Sequence, residues 1–515
     1  MGSGQADLLR VGERRHMCNK RINKSRAVTA CGSVAVGLLL SLLLGSCTVG
    51  PDYIRPSAEV PAAYKETKDW KKAEPGDELR KGPWWEVLGD PQLNSFEEKV
   101  NVSNQNVAFA EAQFRQARAL VQEARAGFFP NVTAGVSATR SRSSSSVGSS
   151  LSSGTVNNFM LPLDVSWEPD LWGRIRRTVE ASEASAQASA ADLGAVSLSM
   201  QAELAQDYFQ LRTLDAQSQL LEETVAAYRK SFELTKNRYA SGIVSRSDVL
   251  LAETQLKTTQ AQAIDIGVQR AQLEHAIAVL LGRPASTFSI AATPLEMKAP
   301  PPIPAGLPSE LLERRADIAA AERLVAAANA QIGVAEAAYY PTITLSGAVG
   351  LESSQLPKLL NWPSRFWSIG ASVLETVFDG GQRKAASEAA RAAYDATVAT
   401  YRQTVIGAFQ EVEDNLSSLR ILEEEAQVQV EAVTAARQSL AITTNQYKAG
   451  TASYLDVIVT QAIALNNERV AIGIFGSRIT AAVLLIKALG GGWDVCSLPA
   501  AVDCASNGKL GWLSQ

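Results

Sequence analysis

Leu221, Val225, Tyr228, Phe232, Thr235 and Tyr239 follow one another at alternating steps of four and three, and Val433, Ala436, Leu440, Thr443 and Tyr447 keep the same phase further on. A four-three stripe is the seam of a coiled coil. No proline falls between Pro169 and Pro284 or between Pro363 and Pro499, and Gly194 and Gly407 are the only glycines of 174–239 and 382–447. These stretches are predicted as two helices, each about 100 Å long at about 1.5 Å per residue. Upstream of the first seam, 181–205 is rich in Ala and Ser, which lets neighbouring helices approach closely. Each long helix is answered by two shorter ones, for example 247–281 and 103–126, which together match its length and can stack end to end beside it.

Between the helices the period drops to two. In 131–143, Val132, Ala134, Val136 and Ala138 alternate with small or polar residues; in 159–167, Phe159, Leu161, Leu163, Val165 and Trp167 alternate with Met160, Pro162, Asp164 and Ser166. The second half offers 342–350 and 367–377. Segments of about ten residues with one apolar side and terminal aromatics suit a transmembrane β-barrel; two soluble hairpins are the alternative. The link 142–155 is mostly Ser and Gly and reads as a solvated loop. Four strands cannot close a barrel, which needs about eight. Strands shared among three copies would number twelve.

The chain repeats itself. Phe128-Phe129-Pro130 returns as Tyr339-Tyr340-Pro341, Tyr239-Ala240-Ser241-Gly242 with Asp248-Val249 returns as Tyr447-Lys448-Ala449-Gly450 with Asp456-Val457, and Leu281-Gly282 returns as Leu489-Gly490. Landmarks in one order at nearly one offset mark a duplication. The expected organisation is a signal peptide over 1–46, an N-terminal segment over 47–100, repeats over 101–300 and 301–493, and a tail over 494–515.

The first 46 residues read as targeting: basic residues from Arg14 to Arg26, an apolar run over 27–44, then Leu44-Gly45-Ser46-Cys47. That ending resembles a bacterial lipobox, in which the chain is cut before Cys47 and the thiol and freed amine of Cys47 are acylated; a plain signal peptide with an incidental cysteine is the other reading. The run is barely long enough for a spanning helix and holds several Gly and Ser. Translation from Met17 gives a more typical basic segment, and Thr48 after the cysteine favours the outer membrane. Cys18 and Cys31 leave with the signal, while Cys496 and Cys504 stay in the tail, as a disulfide or as two free thiols.

Several motifs in order, from Cys47 to about Trp493, resemble the TolC-like outer membrane factors, and most closely their lipoprotein branch, the OprM/NodT type. They are Gly50-Pro51-Asp52-Tyr53, Trp84-Trp85 with Asp90-Pro91-Gln92-Leu93, Asp170-Leu171-Trp172-Gly173-Arg174, Leu281-Gly282-Arg283-Pro284, Leu307-Pro308-Ser309-Glu310-Leu311-Leu312 with Arg314-Arg315, and Ala488-Leu489-Gly490-Gly491-Gly492-Trp493. Ala316 stands where members usually carry Pro. The resemblance implies an α+β membrane protein: a homotrimeric channel-tunnel with a twelve-stranded barrel, four strands per protomer, and a periplasmic helical coiled-coil barrel. It implies tips at Ser241, Gly242, Ile243, Val244 and Ala449, Gly450, Thr451, Ala452 that meet a periplasmic adaptor. The gate it implies comprises Asp456, Leu455, Tyr447 and Asp248, with a closing link from Tyr447 to Asp248. The arginine of the TolC lock is absent, since Ala452 stands there, and the second acidic position is Val459. Read without the resemblance, Asp248 and Asp456 simply start helices, where a carboxylate favours the dipole.

Composition narrows the function. A net charge of -4 argues against nucleic acid. Of two histidines, His16 leaves with the signal and His275 is alone on a helix. There is no G-x-S-x-G, H-E-x-x-H, P-loop or dinucleotide fingerprint, so neither enzyme chemistry, cofactor nor metal is expected. A structural coiled-coil protein is the other rival, opposed by the paired strands and the anchor. The resemblance favours small-molecule efflux with an inner-membrane pump of the proton-driven RND type over type I protein secretion.

Overall fold

A computed structural model describes residues 48–66, 83–142, 144, 154–293, 300–301, 303 and 310–493. Cys47, the signal segment, most of the 142–155 loop, Leu307 to Ser309, and the tail with Cys496 and Cys504 lie outside them. The elements in order are α1 (Pro91–Ser103), α2 (Gln105–Ala126), β1 (Asn131–Ala134), β2 (Ser137–Arg142), β3 (Thr155–Trp167), α3 (Arg174–Ala240) and α4 (Arg246–Leu280). Then follow α5 (Leu311–Arg314), α6 (Ala316–Ala337), β4 (Thr342–Ser353), β5 (Arg365–Leu374), α7 (Gln382–Ala449) and α8 (Tyr454–Ala488). The order helix, strands, very long helix, return helix occurs twice, and α3 and α7 hold 67 and 68 residues.

Two compact units share the chain. One comprises Val121–Ser182 and Ala327–Tyr394 with the segment ending at Tyr53; the other comprises Ile54–Leu120, Glu183–Ala326 and the chain from Asp395.

The first unit is built on an antiparallel sheet of order β1-β3-β4-β5, with β2 also on β3. The expected strand 131–143 is interrupted at Gly135 and Val136, where Gly135 N–H still donates to the Pro162 carbonyl at 3.1 Å. Both pieces keep one register on β3, Ala134 opposite Leu163 and Ser137 opposite Met160, so they act as one strand. The other strands are longer than their alternation suggested or shifted by a few residues, because the ladder continues where polarity no longer alternates. At the helix-bearing end, Trp172 stacks on Tyr340 with centroids 4.9 Å apart and donates Nε1–H to the Pro341 carbonyl at 2.8 Å. The residues after Cys47 are pinned here: Val49 N–H donates to the Trp172 carbonyl, and buried Arg177 holds the Gly50 carbonyl and the Asp52 carboxylate at 3.2 and 2.8 Å.

The core of the second unit gathers Trp84, Trp85, Leu93, Phe96, Tyr208, Leu211, Ile277 and Leu485. Here the Asp90-Pro91 motif shows its purpose. Asp90 caps α1, accepting from Gln92 and Leu93 N–H at 2.8 and 3.0 Å, and takes the Tyr208 hydroxyl at 2.7 Å. The repeats meet this core in matching ways. Asn104 donates Nδ2–H to the Leu280 carbonyl at 2.8 Å, closing the first return helix against the head of α2. Arg315 donates Nη1–H to the Ala488 carbonyl at 3.1 Å and pairs with Asp317 and Glu411, both at 2.7 Å. Glu97 is fully enclosed here without a hydrogen-bond partner among the described residues, and burial pushes its carboxyl up to about 9, which favours the uncharged form at neutral pH.

Candidate functional site

In the sheet, register decides chemistry. Antiparallel partners share a face, so Ala134, Leu163, Val349 and Trp367 form one transverse row, and Thr133, Asp164, Ala348 and Ser368 the next row on the opposite face. Across the middle of the sheet one face is mainly apolar and the other mainly small or polar, with Met160, Phe366 and Leu374 as exceptions on the second. The apolar face is bare: Trp367, Ile369 and Val373 keep 77%, 82% and 66% of their surface exposed. Soluble proteins rarely leave such a continuous patch uncovered. Strands of ten to thirteen residues are long enough to cross a bilayer, in which a sheet must leave no unpaired edge. Here β1 with β2 at one side and β5 at the other are both open edges, which copies of the chain can pair and close.

The second region is the pair of hairpin tips. At each, the long helix ends on a glycine with positive φ, +72° at Gly242 and +83° at Gly450. Ile243 N–H reaches back to the Arg238 carbonyl and Gly242 N–H to that of Tyr239, both at 2.9 Å; Thr451 and Gly450 repeat the pattern on Gln446 and Tyr447. This is the Schellman termination, which needs a residue free to be left-handed. Three residues after each glycine a serine starts the return helix with a capping box, Ser245 with Asp248 and Ser453 with Asp456. Ser241, Gly242, Ile243, Ala449, Gly450 and Thr451 are exposed, and Val244 and Ala452 half-buried.

The gate candidates divide between two roles. Tyr447 is buried with Tyr454, Val457 and Ala252, its ring 5.3 Å from that of Tyr454. The expected link from Tyr447 to Asp248 is not formed. Asp248 instead accepts from the Ser245 N–H and hydroxyl, both at 3.0 Å, while the Tyr447 hydroxyl stands 3.5 Å from that of Thr235. Leu455 and Asp456 are exposed, on the side of α8 away from Tyr454, Val457 and Gln461. Hydrogen bonds from the Ser453 hydroxyl and amide hold the Asp456 carboxyl below the ordinary carboxylate range.

Arg238 escaped the sequence reading. Its Nη1–H donates to the Tyr447 carbonyl at 3.0 Å and its guanidinium lies 4.7 Å from the Tyr447 ring centroid. It ties the end of α3 to the end of α7, and Ser231 to Tyr454 adds a 3.2 Å hydroxyl contact. Only its place in the last helical turn, where a cation suits the dipole, hinted at it.

Residues 98–283 and 307–491 match the family model described as outer membrane efflux protein. The chain is 31% identical to the antibiotic efflux pump outer membrane protein ArpC of Pseudomonas putida, over 88% of this chain and 94% of that one. It is 28% identical to the pyoverdine export outer membrane protein OpmQ of Pseudomonas aeruginosa, over 88% and 95%. Its fold superposes on the outer-membrane channel OprN with a TM-score of 0.81 at 31% identity, covering 87% of this chain and all of that one. The fold class is therefore that of the trimeric channel-tunnels, in which each protomer brings four strands to a shared barrel and long helices to a periplasmic tunnel. The chain belongs to the outer membrane efflux protein family and is an outer-membrane efflux channel protomer.

Proposed function

We propose that the trimer is the exit duct of a tripartite assembly, receiving small molecules from an inner-membrane pump of the proton-driven RND type through a periplasmic adaptor that seats on the two tips. The observation that carries this is the twofold repetition of one tip. Two hairpins end in the same Schellman glycine, spacer and capping box, although the side chains below them differ. A backbone form kept twice at an exposed end suits a partner that grips backbone shape at six places around a trimer. Leu455 and Asp456 constrict the same entrance, with Tyr447 and Asp248 behind them. Protein secretion is the weaker reading, because relatives are named for antibiotic efflux and pyoverdine export.

The test is complementation of a deletion strain, read as drug susceptibility. Gly242→Trp and Gly450→Trp should each fail to complement while trimers persist in the membrane, since an indole side chain strains the left-handed turn and obstructs the docking surface. Wild-type complementation by both would remove the tips as the docking surface.

The anchor belongs to the same proposal. The hydrogen bonds of Val49, Gly50 and Asp52 fix the start of the mature chain beside Trp172 and Arg177, so acyl chains on Cys47 would sit where the sheet gives way to helices. Mass spectrometry of the mature N-terminus should find Cys47 triacylated; an unmodified cysteine overturns this part alone.

A further inference from the structure

Among the described residues five charged ones lie in the strands: Arg140 and Arg142 on β2, Asp164 on β3, Glu352 on β4 and Arg365 on β5. Register separates them by sign. Arg140 and Arg142 pair with Asn157 and Thr155, and Arg365 with Leu351, all on the face that carries Phe159, Leu161 and Leu163. Asp164 and Glu352 project from the opposite face, where Glu352 accepts from Asn158 at 2.9 Å. Every basic strand residue therefore stands on the lipid-facing side and both acidic ones on the channel side.

The three arginines are also confined to one end. They lie toward the β2–β3 and β4–β5 connections, away from the strand ends that lead into helices. In a barrel whose helices are periplasmic, that end is the outer leaflet. A bare cation among lipid tails is costly, and none of the three has an acidic partner among the described residues. Arg365 is held ready: its guanidinium stacks on the Trp362 ring at 3.2 Å, which leaves the N–H edge free for an anion.

A shallow groove of about 560 Å³ runs over the same face, lined by Ala134, Leu161, Leu163, Val349 and Leu351 and closed at its outer end by Arg365. Its floor is the middle strands β3 and β4, while Ala134 and Arg365 at its margins belong to the edge strands β1 and β5, whose outer sides another protomer would pair. An apolar trough ending in a fixed cation matches an acyl chain joined to a phosphate. We infer that Arg140, Arg142, Arg365 and this groove bind a phosphorylated glycolipid of the outer leaflet, its phosphates on the arginines and an acyl chain between β3 and β4. Bound there, the lipid neutralises three cations that the barrel otherwise exposes at the membrane surface.

The test is native mass spectrometry of the detergent-released trimer with diphosphoryl lipid A as the probe. Wild-type trimer should retain lipid A. The triple variant Arg140→Gln, Arg142→Gln, Arg365→Gln should lose about tenfold or more in occupancy while its trimer mass persists. Lipid A stripped of phosphate should bind wild-type trimer as weakly as lipid A binds the variant, and this arm decides the matter if the variant does not assemble. Equal retention by the variant, or equal binding of the dephosphorylated lipid, overturns the site. Displacement by millimolar inorganic phosphate would make it a free-phosphate site, and equal binding of phosphatidylglycerol would make it a general anionic-lipid surface; either result overturns the glycolipid assignment.

Discussion

Tyr239 and Tyr447 hold the same place in their repeats, three residues before the glycine of the turn, yet Tyr239 is 45% exposed and Tyr447 only 5%. The turns they precede are nearly superimposable in hydrogen bonding. What differs is the surrounding side chains. Where the first return helix starts with Arg246, the second starts with Tyr454, which covers Tyr447; where α7 has Gln446, α3 has Arg238, which reaches across to Tyr447. Duplication has kept the backbone terminations and let the side chains specialise, so that the second hairpin has a packed interior at its tip and the first supplies the clamp. The same division holds at the other end of the return helices. A neutral Asn104 closes the first repeat on Leu280, whereas a buried Arg315 with two carboxylates closes the second on Ala488.

The largest difference between the repeats should appear at those junctions. Arg315→Ala should destabilise by about 3 kcal/mol, the low end for breaking a buried ion pair, because Asp317 and Glu411 can still reach solvent. Asn104→Ala should cost about 1–2 kcal/mol, the loss of a cap and of one buried hydrogen bond. The temperature at which SDS-resistant trimers dissociate measures both. A larger fall for Asn104→Ala would show that the charged junction is not the stronger one.

Much of this was legible because it is periodic or chemical. The seams of α3 and α7, the prolines that bound them and the glycines that end them are local facts that folding leaves in place, and period two marked the strands. The gate's wiring was not legible in the same way. A Tyr447 to Asp248 link follows from family likeness, but Ser245 stands three residues before Asp248 and takes its carboxylate first. Arg238 looks like any basic residue in a last helical turn until the second repeat is brought beside it. Glu97 stands beside Glu98 and Lys99 in a charged run, and only the fold shows it enclosed. The sign separation of the strand charges needed the register as well, because sequence alternation gives a side for each residue within one strand but not across strands.

A smaller effect should separate the two tyrosines. Tyr447→Ala removes the ring against Tyr454 and beneath the Arg238 guanidinium, and so loosens the second hairpin from the first. Single-channel recordings in planar bilayers should show raised conductance and frequent open events. Tyr239→Ala removes a half-solvated ring and should leave both unchanged. If Tyr239→Ala opens the channel equally, burial at the tip is not what holds the entrance shut.

The finest comparison is between Asp456 and Asp248, whose caps are built alike. Asp456 accepts from the Ser453 amide and hydroxyl at 2.9 and 2.7 Å, and Asp248 from those of Ser245 at 3.0 Å each. Substitution by Asn therefore perturbs both helix starts to a similar degree, and any difference in conduction reports position rather than folding. Three Asp456 carboxylates around a threefold axis would form a ring that favours cations. A trivalent cation added from the periplasmic side should block the wild-type current. Asp456→Asn should weaken that block several-fold and Asp248→Asn should leave it unchanged. Loss of block in both variants, or in neither, would reduce Asp456 to a helix start. The pH dependence follows from the cap. Hydrogen bonds from Ser453 lower the Asp456 pKa in the folded chain, so the carboxylate stays ionised, and the block persists, to a pH below that at which an ordinary aspartate takes its proton. Mutual repulsion within a narrow ring acts in the opposite direction, raising the affinity of one carboxylate for a proton. A wild-type block that fades already above the ordinary aspartate range would show repulsion outweighing the cap; a block that holds through that range would show the cap prevailing.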